Sequence, residues 1–429
     1  MPPDMPHASF NDPRGESRLF TRRALIAALL ASLGLALVVA RLVQLQVIEH
    51  QHFSTLSEDN RIKVQPLPPS RGLIYDRDGV LLADNVPSYS LTITPEKVAD
   101  LAATIDALAE LLPISELDRE RFARLLPQRR RFEGVPIRLD LDERERAHIA
   151  VHNHRFPGVD IHAELSRFYP QGAYTAHVVG YVGRINEQEM ERIEVSDYAG
   201  TSHIGKVGVE KAHEAWLHGH VGYEQAVVNA RGRVLERRKK QAPVPGRDLH
   251  LFFDVQLQKD ATAALGDNRG SVVAIDPRTG GVLALVSSPS YDPNPFVGGI
   301  SYAAFDALRE DIDKPLYNRA IRGQYPPGST IKPFVALGGL AMGVIGPRDG
   351  TYCGGYFQLP GHTHRYRCWR RSGHGMLAME DAVVQSCDVY FYRLAHDLGI
   401  ERLNDALAAF GFGRPTGTDI ADELGGRIA

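Results

Sequence analysis

A chain of 429 residues, 43% hydrophobic with 40 glycines and 27 prolines, is globular, loop-rich and long enough for two or three domains. Its formal charge of −3 gives no reason to expect a nucleic-acid partner, and three cysteines are too few for a disulfide scaffold. Residues 1–23 are polar, with Arg14, Arg18, Arg22 and Arg23 as their basic residues, and read as a disordered cytoplasmic tail. No charge occurs from Ala24 to Ala40, and an apolar pattern continues past Arg41, so residues 24–45 read as a single membrane span. Arginine beside its N-terminal end places that end in the cytoplasm and the rest of the chain outside. The competing reading is a cleaved signal peptide with Val38-Val39-Ala40 as the cleavage site. The apolar run exceeds the roughly 7 to 15 residues usual for such a segment, which favours the anchor.

Residues 46–243 mix short strand-like runs with charged helices. Pro69 to Ala83 reads as two strands around an Asp78-Gly79 turn. Val98 to Leu112 has helical apolar spacing, and Ser115 to Leu126 reads as a second helix with Ser115 as its N-cap. Arg129-Arg130-Arg131 reads as a solvated face. The stretches Arg167 to Gly172 and Gly205 to Lys211 suggest no chemistry of their own. Like charges and two prolines in Arg237 to Gly246 mark a domain boundary.

Beyond it, Arg247 to Asp254 alternates as a strand and Gln256 to Leu265 reads as a helix. Gly270 to Val286 reads as a hairpin whose continuous apolarity predicts cover on both faces. The stretch Tyr325-Pro326-Pro327-Gly328-Ser329-Thr330-Ile331-Lys332-Pro333 then predicts a sharp turn into a helix, because Pro333 is tolerated only among the first helical positions. Ser329 falls at or beside the N-cap, with Lys332 one turn on. A serine hydroxyl becomes a nucleophile when a base takes its proton, and a lysine whose ammonium form is disfavoured by burial and by a helix N-terminus suits that task. A second element, Ser386-Cys387-Asp388, follows 57 positions after Ser329.

Together with Phe357 to Gly361, Arg365 to Trp369 and Gly373-His374-Gly375, these motifs resemble those of class B penicillin-binding proteins of the cell-elongation type. The resemblance runs from the anchor to the last residue. It implies an α+β protein with an N-terminal transmembrane helix, an elongated mixed α/β pedestal over 46–243, and a transpeptidase-type domain over 244–429 made of an antiparallel sheet flanked by helices. The implied activity is D,D-transpeptidation of peptidoglycan stem peptides during elongation, on the periplasmic side of the cytoplasmic membrane. Ser329 would be the nucleophile, acylated also by β-lactams, and Lys332 its base. Ser386 would relay a proton to the leaving amine, while Asp388 would orient Lys332 and the substrate amide. The Ser329 N–H would contribute to the oxyanion hole. A RodA-type glycan polymerase is the implied partner.

Two departures qualify this reading. No K-T-G or K-S-G triad occurs in the sequence, which implies a catalytic domain incomplete at its C-terminal end. Asp388 stands where many relatives carry Asn, although the elongation type also shows the aspartate form. The alternatives are an inert membrane scaffold of the elongation machinery, a division-type transpeptidase, and a β-lactamase-type hydrolase. The third would need a group positioned to activate water and would not need the pedestal or anchor, and the Phe357 to Gly361 and Arg365 to Trp369 stretches argue against the second.

All three cysteines, Cys353, Cys368 and Cys387, crowd into 35 residues, and His374 lies between the last two. Three thiolates and one imidazole suit a closed tetrahedral zinc site, and the resemblance supports a structural zinc near the nucleophile. The alternatives are a Cys353–Cys368 disulfide, or His362 or His364 as the fourth ligand.

Overall fold

The computed structural model of the protein describes residues 13–44, 62–129, 131–194, 196–228 and 234–428. The chain packs as two units, one of residues through Pro66 with Tyr223–Ala242, the other of Leu67–Gly222 with Pro243–Ala429. In the first, one α-helix spans Pro13–Val43. Residues 13–23, read from sequence as tail, are therefore helical; Pro13 opens the helix at the position where its missing N–H costs nothing. The stretch Thr21–Val43 is a candidate membrane span, long and apolar enough to cross a bilayer. The same unit holds a three-stranded sheet in the order Ile62–Leu67, Gly222–Val228, Val234–Gln241.

The second unit begins with the strands that flank Asp78-Gly79. Ile74–Tyr75 pairs antiparallel with Leu81–Ile93 across the turn, where Gly79 takes φ +82°. Leu81–Ile93 then pairs along its length with Val159–Phe168 and at its end with Val135–Arg138. Helices Leu101–Ala109 and Glu116–Leu125 cover this sheet, the first capped by Asp100 and the second by a reciprocal capping box of Ser115 and Asp118. Leu91, Ile93, Leu108, Phe122, Val135 and Ile149 form the core between them.

Three segments that suggested no chemistry in sequence converge nearby on a buried ion cluster. Glu210 receives Arg71 at 2.6 Å and Arg167 at 2.7 Å, its own side chain fully buried. The Tyr169 hydroxyl adds a 3.2 Å hydrogen bond. Burial alone would raise the Glu210 carboxyl, but Arg71 and Arg167 outweigh it and hold the group below the ordinary carboxylate range.

The chain leaves the first unit at Ala242, and from Pro243 onward it packs in one unit with Leu67–Gly222. Leu249–His250 adds to Ile74–Tyr75 as a parallel strand, and Phe253, Val255 and Leu285 share a core with Ile74, Leu82 and Tyr169. Of the strand expected over Arg247 to Asp254, these two residues alone form a ladder; Asp254 instead caps the helix Val255–Leu265. The hairpin Gly270–Ile275 with Val282–Ser288 forms as expected, but its cover is uneven. The second strand is buried at Ala284 to Ser287, whereas Val273 and Ile275 on the first stay exposed because the described sheet has these two strands alone.

The last core holds helix Lys332–Ala341 against helix Asp388–Ala408 through Val335, Ala336, Tyr390, Leu394 and Leu407. Asp388–Ala408 is two helices joined at the non-helical Gly399; the first approaches helix Lys332–Ala341 at Gly339, where an added Cβ would stand 2.9 Å from Leu394 Cδ1, and the second at Gly338, 2.5 Å from Ala406 Cβ. This packing sets the distance between the two sequence motifs that carry the chemistry.

Candidate active site and metal cluster

The Ser329 segment is a 3-10 turn, Gly328–Ile331, continued by the α-helix from Lys332. Pro333 dictates the change of pitch. It has no N–H to offer the Ser329 carbonyl four residues back, so the Lys332 N–H takes that carbonyl in a tighter turn. Ser329 therefore sits inside the first turn and not at the cap itself. Its side chain is exposed, whereas that of Lys332 is 10% exposed.

Ser386 occupies the junction between helices Met379–Val384 and Asp388–Ala408 and adopts φ +49°, a left-handed conformation that costs a non-glycine residue on the order of 1 kcal/mol or more. The junction holds it there through Ser386 N–H to Val383 O at 3.1 Å and Cys387 N–H to Ala382 O at 2.9 Å. In that pose the Ser386 hydroxyl donates to Ser329 Oγ at 2.9 Å. Lys332 Nζ lies 3.1 Å from Ser386 Oγ, 2.9 Å from Ser386 O and 2.6 Å from Asp388 Oδ1. All four predicted residues meet, and the hydrogen-bonded path from Ser329 to Lys332 passes through Ser386.

The other carboxylate oxygen of Asp388 accepts the Trp369 backbone N–H at 3.0 Å, and the Trp369 indole N–H donates to Gln385 O at 3.0 Å. Trp369 thus clamps both sides of Ser386, a role that sequence reasoning missed because its partners lie 16 and 19 positions away.

The residue before it, Cys368, belongs to a cluster with Cys353, His374 and Cys387 whose ligand atoms all lie within 4.8 Å of one another. Strand Thr351–Cys353 pairs with Gly375–Leu377, which brings His374 beside Cys353. The Sγ atoms of Cys353 and Cys368 are each 3.6 Å from His374 Nδ1. A tetrahedral ion with bonds of about 2.3 Å to sulfur and about 2.0 Å to nitrogen requires a separation of about 3.6 Å, so the donor set fits zinc. All three thiols are free and buried, with no Cys353–Cys368 disulfide. His362 and His364 are exposed and outside the cluster. Burial pushes the Cys387 thiol up to about 12, the neighbouring thiols adding to the effect. At Cys353 burial acts the same way, but the N–H groups of Gly355 and His374 outweigh it, helped by the Cys387 and Cys368 thiols, and lower its pKa. Thiols crowded in this way are set to share a cation.

The class follows from two family matches. The penicillin-binding protein dimerisation domain matches residues 66–251, and the penicillin-binding protein transpeptidase domain matches residues 270–429. Among curated relatives, the peptidoglycan D,D-transpeptidase MrdA of Acinetobacter baumannii is 44% identical over 98% of this chain and 62% of its own length. That of Escherichia coli K12 is 43% identical, over 98% of this chain and 67% of its own length. The chain thus spans about two thirds or less of these relatives. Solved structures agree. Pseudomonas aeruginosa PBP2 in complex with WCK 5153 aligns with TM-score 0.61 at 40% identity, covering 86% of this chain and 61% of that one. The Helicobacter pylori PBP2 in complex with MreC aligns with TM-score 0.73 at 28% identity, covering 86% and 69%. The chain belongs to the class B penicillin-binding proteins of the MrdA, or PBP2, type.

Proposed function

We propose that the protein is a peptidoglycan D,D-transpeptidase of cell elongation, anchored in the cytoplasmic membrane by the helix through Val43 with its catalytic domain in the periplasm. The observation that carries this reading is the continuous hydrogen-bonded path Ser329, Ser386, Lys332, Asp388. Ser329 Oγ attacks the carbonyl of the penultimate D-alanine, and its proton passes through the Ser386 hydroxyl towards Lys332. With a neutral amine the Ser386 hydroxyl turns its one hydrogen from Ser329 Oγ to Lys332 Nζ and accepts from the Ser329 hydroxyl instead, which orients the path for the proton to leave Ser329. The amide C–N bond breaks, the terminal D-alanine leaves with a proton returned along Ser386, and the acyl group stays on Ser329. An amine of a neighbouring stem peptide then takes the acyl group, regenerating the serine. In a β-lactam the ring amide breaks in the same step and the acyl group is retained. The Ser329 N–H, on the first helical turn, supports one side of the oxyanion hole.

In this reading Cys353, Cys368, His374 and Cys387 hold a structural zinc ion, which supplies cross-linking of the loop and no open coordination position. Through Cys368 and Trp369 that loop supports Asp388, and through Cys387 it supports Ser386, so its effect on the chemistry is one of positioning. The partners proposed are a RodA-type glycan polymerase and, from the Helicobacter pylori complex, an MreC-type protein.

A labelled penicillin should acylate the full-length protein at Ser329, and Ser329→Ala should abolish the label; a label that persists in the variant would contradict the assignment. Purified protein should carry near-stoichiometric zinc, lost in Cys368→Ser and His374→Ala. Absence of metal, together with a mass two hydrogens lower for a disulfide, would remove the zinc site.

A further inference from the structure

From Gly350 to Met379 the sequence contains no aspartate or glutamate, yet it carries Arg365, Arg367, Arg370 and Arg371. Strands Tyr356–Gln358 and Arg365–Arg367 form an antiparallel hairpin in the register Tyr356↔Arg367, Phe357↔Tyr366, Gln358↔Arg365. Opposed residues share a face and successive residues alternate. The Phe357 and Tyr366 face turns towards helix Asp388–Ala408, with Tyr366 5.8 Å from Tyr392 and Phe357 6.0 Å from His396 between ring centres. The opposite face therefore carries Arg365 and Arg367 outward, beside Tyr356, over whose ring the Arg365 guanidinium lies at 4.6 Å. All four arginines are exposed, and none forms an ion pair among the described residues.

Four guanidiniums without an ion pair, with no aspartate or glutamate in their own segment and Asp388 engaged by Lys332 and the Trp369 N–H, create a positive surface that attracts and orients anions. The hairpin that carries them is not free to drift. Cys368 ties its end into the thiol cluster, and Trp369 donates to Gln385 O and to the Asp388 carboxylate. We infer that the outward face of this hairpin is a docking surface for an acidic peptide. Resting on the transpeptidase reading, that peptide is the peptidoglycan stem, whose D-glutamate carboxylate, away from the reacting end, matches the planar fork of arginine in a bidentate pair. The surface holds the stem so that its reacting end is delivered to Ser329.

The test measures binding of a soluble stem pentapeptide to the full-length protein, with the D-glutamate carboxylate free and with that one carboxylate amidated. The acidic peptide should bind at least about tenfold tighter, and the preference should shrink as salt rises, because the contacts are exposed. The double variant Arg365→Glu, Arg367→Glu should erase the preference, whereas Arg365→Lys, Arg367→Lys should keep part of it. Equal binding of the two peptides, or an unchanged preference in the charge-reversed variant, would overturn the inference. So would a variant that loses only binding to vesicles rich in anionic phospholipid, since the surface would then serve the membrane. Penicillin labelling of Ser329 in the same samples keeps the two readings apart. Normal labelling without acid preference sinks the docking surface alone, and acid preference without labelling sinks the transpeptidase.

Discussion

Replacing Lys332 by alanine should slow acylation of Ser329 by a labelled penicillin on the order of a thousandfold, the contribution typical of a positioned general base. The expectation rests on geometry. Lys332 Nζ is the one amine on the path from Ser329, 3.1 Å from the Ser386 hydroxyl that itself donates to Ser329 Oγ. Alanine also strips Asp388 of its partner, so a structural loss and a chemical one would look alike. Lys332→Arg separates them, because arginine keeps the charge beside Asp388 and cannot give up its proton in a protein. If Lys332 is the base, the arginine variant should fold and acylate nearly as slowly as the alanine variant. Acylation within a few fold of the unaltered protein would mean that the lysine serves only as a cationic prop.

The second large effect belongs far from the chemistry. Glu210→Ala should destabilise the pedestal by about 3–5 kcal/mol, since removing one partner of a buried ion cluster leaves the others uncompensated. Arg167 then loses its carboxylate with a side chain 2% exposed and keeps only the neutral acceptors Gly72 O and Asn85 Oδ1, while Glu214 at 2.7 Å is the carboxylate left to Arg71. The loss is read as a lower urea or thermal midpoint, and an unchanged midpoint would contradict it. The pH dependence follows from the lowered carboxyl. Its contribution is complete above the ordinary value of 4.5 and disappears as pH falls through the lower folded value, so the cluster holds through neutral and weakly acidic conditions and fails only in stronger acid. Glu210→Ala should flatten that acid limb.

What was legible in the sequence was local. Ser115 and Asp118 cap a helix that starts at Glu116 because both halves of the capping box lie within one turn. The thiol cluster was legible for a related reason: three cysteines and His374 are so rare and so crowded that few other arrangements satisfy them. Ser329, Lys332, Ser386 and Asp388 could be named as a set from their motifs, but not the order in which they touch. That order is decided by the packing of two helices at Gly339 and Leu394 and by the left-handed backbone of Ser386. The Glu210 cluster was hidden altogether, since its arginines lie 139 and 43 positions away and none of the three segments suggests chemistry by itself. Residues 13–23 were misread for the opposite reason: polar composition argued for a tail, while Pro13 at a helix start and the apolar run that follows carry helix through them.

The central claim is acyl transfer from Ser329 to an amine. The most direct measurement incubates the full-length protein with stem pentapeptide substrate and an amine acceptor, and counts D-alanine released against cross-linked product by mass spectrometry. Equal amounts of both, each lost in Ser329→Ala, are the predicted result. D-alanine released without cross-links would make the protein a hydrolase, and release that survives the loss of Ser329 would contradict the account.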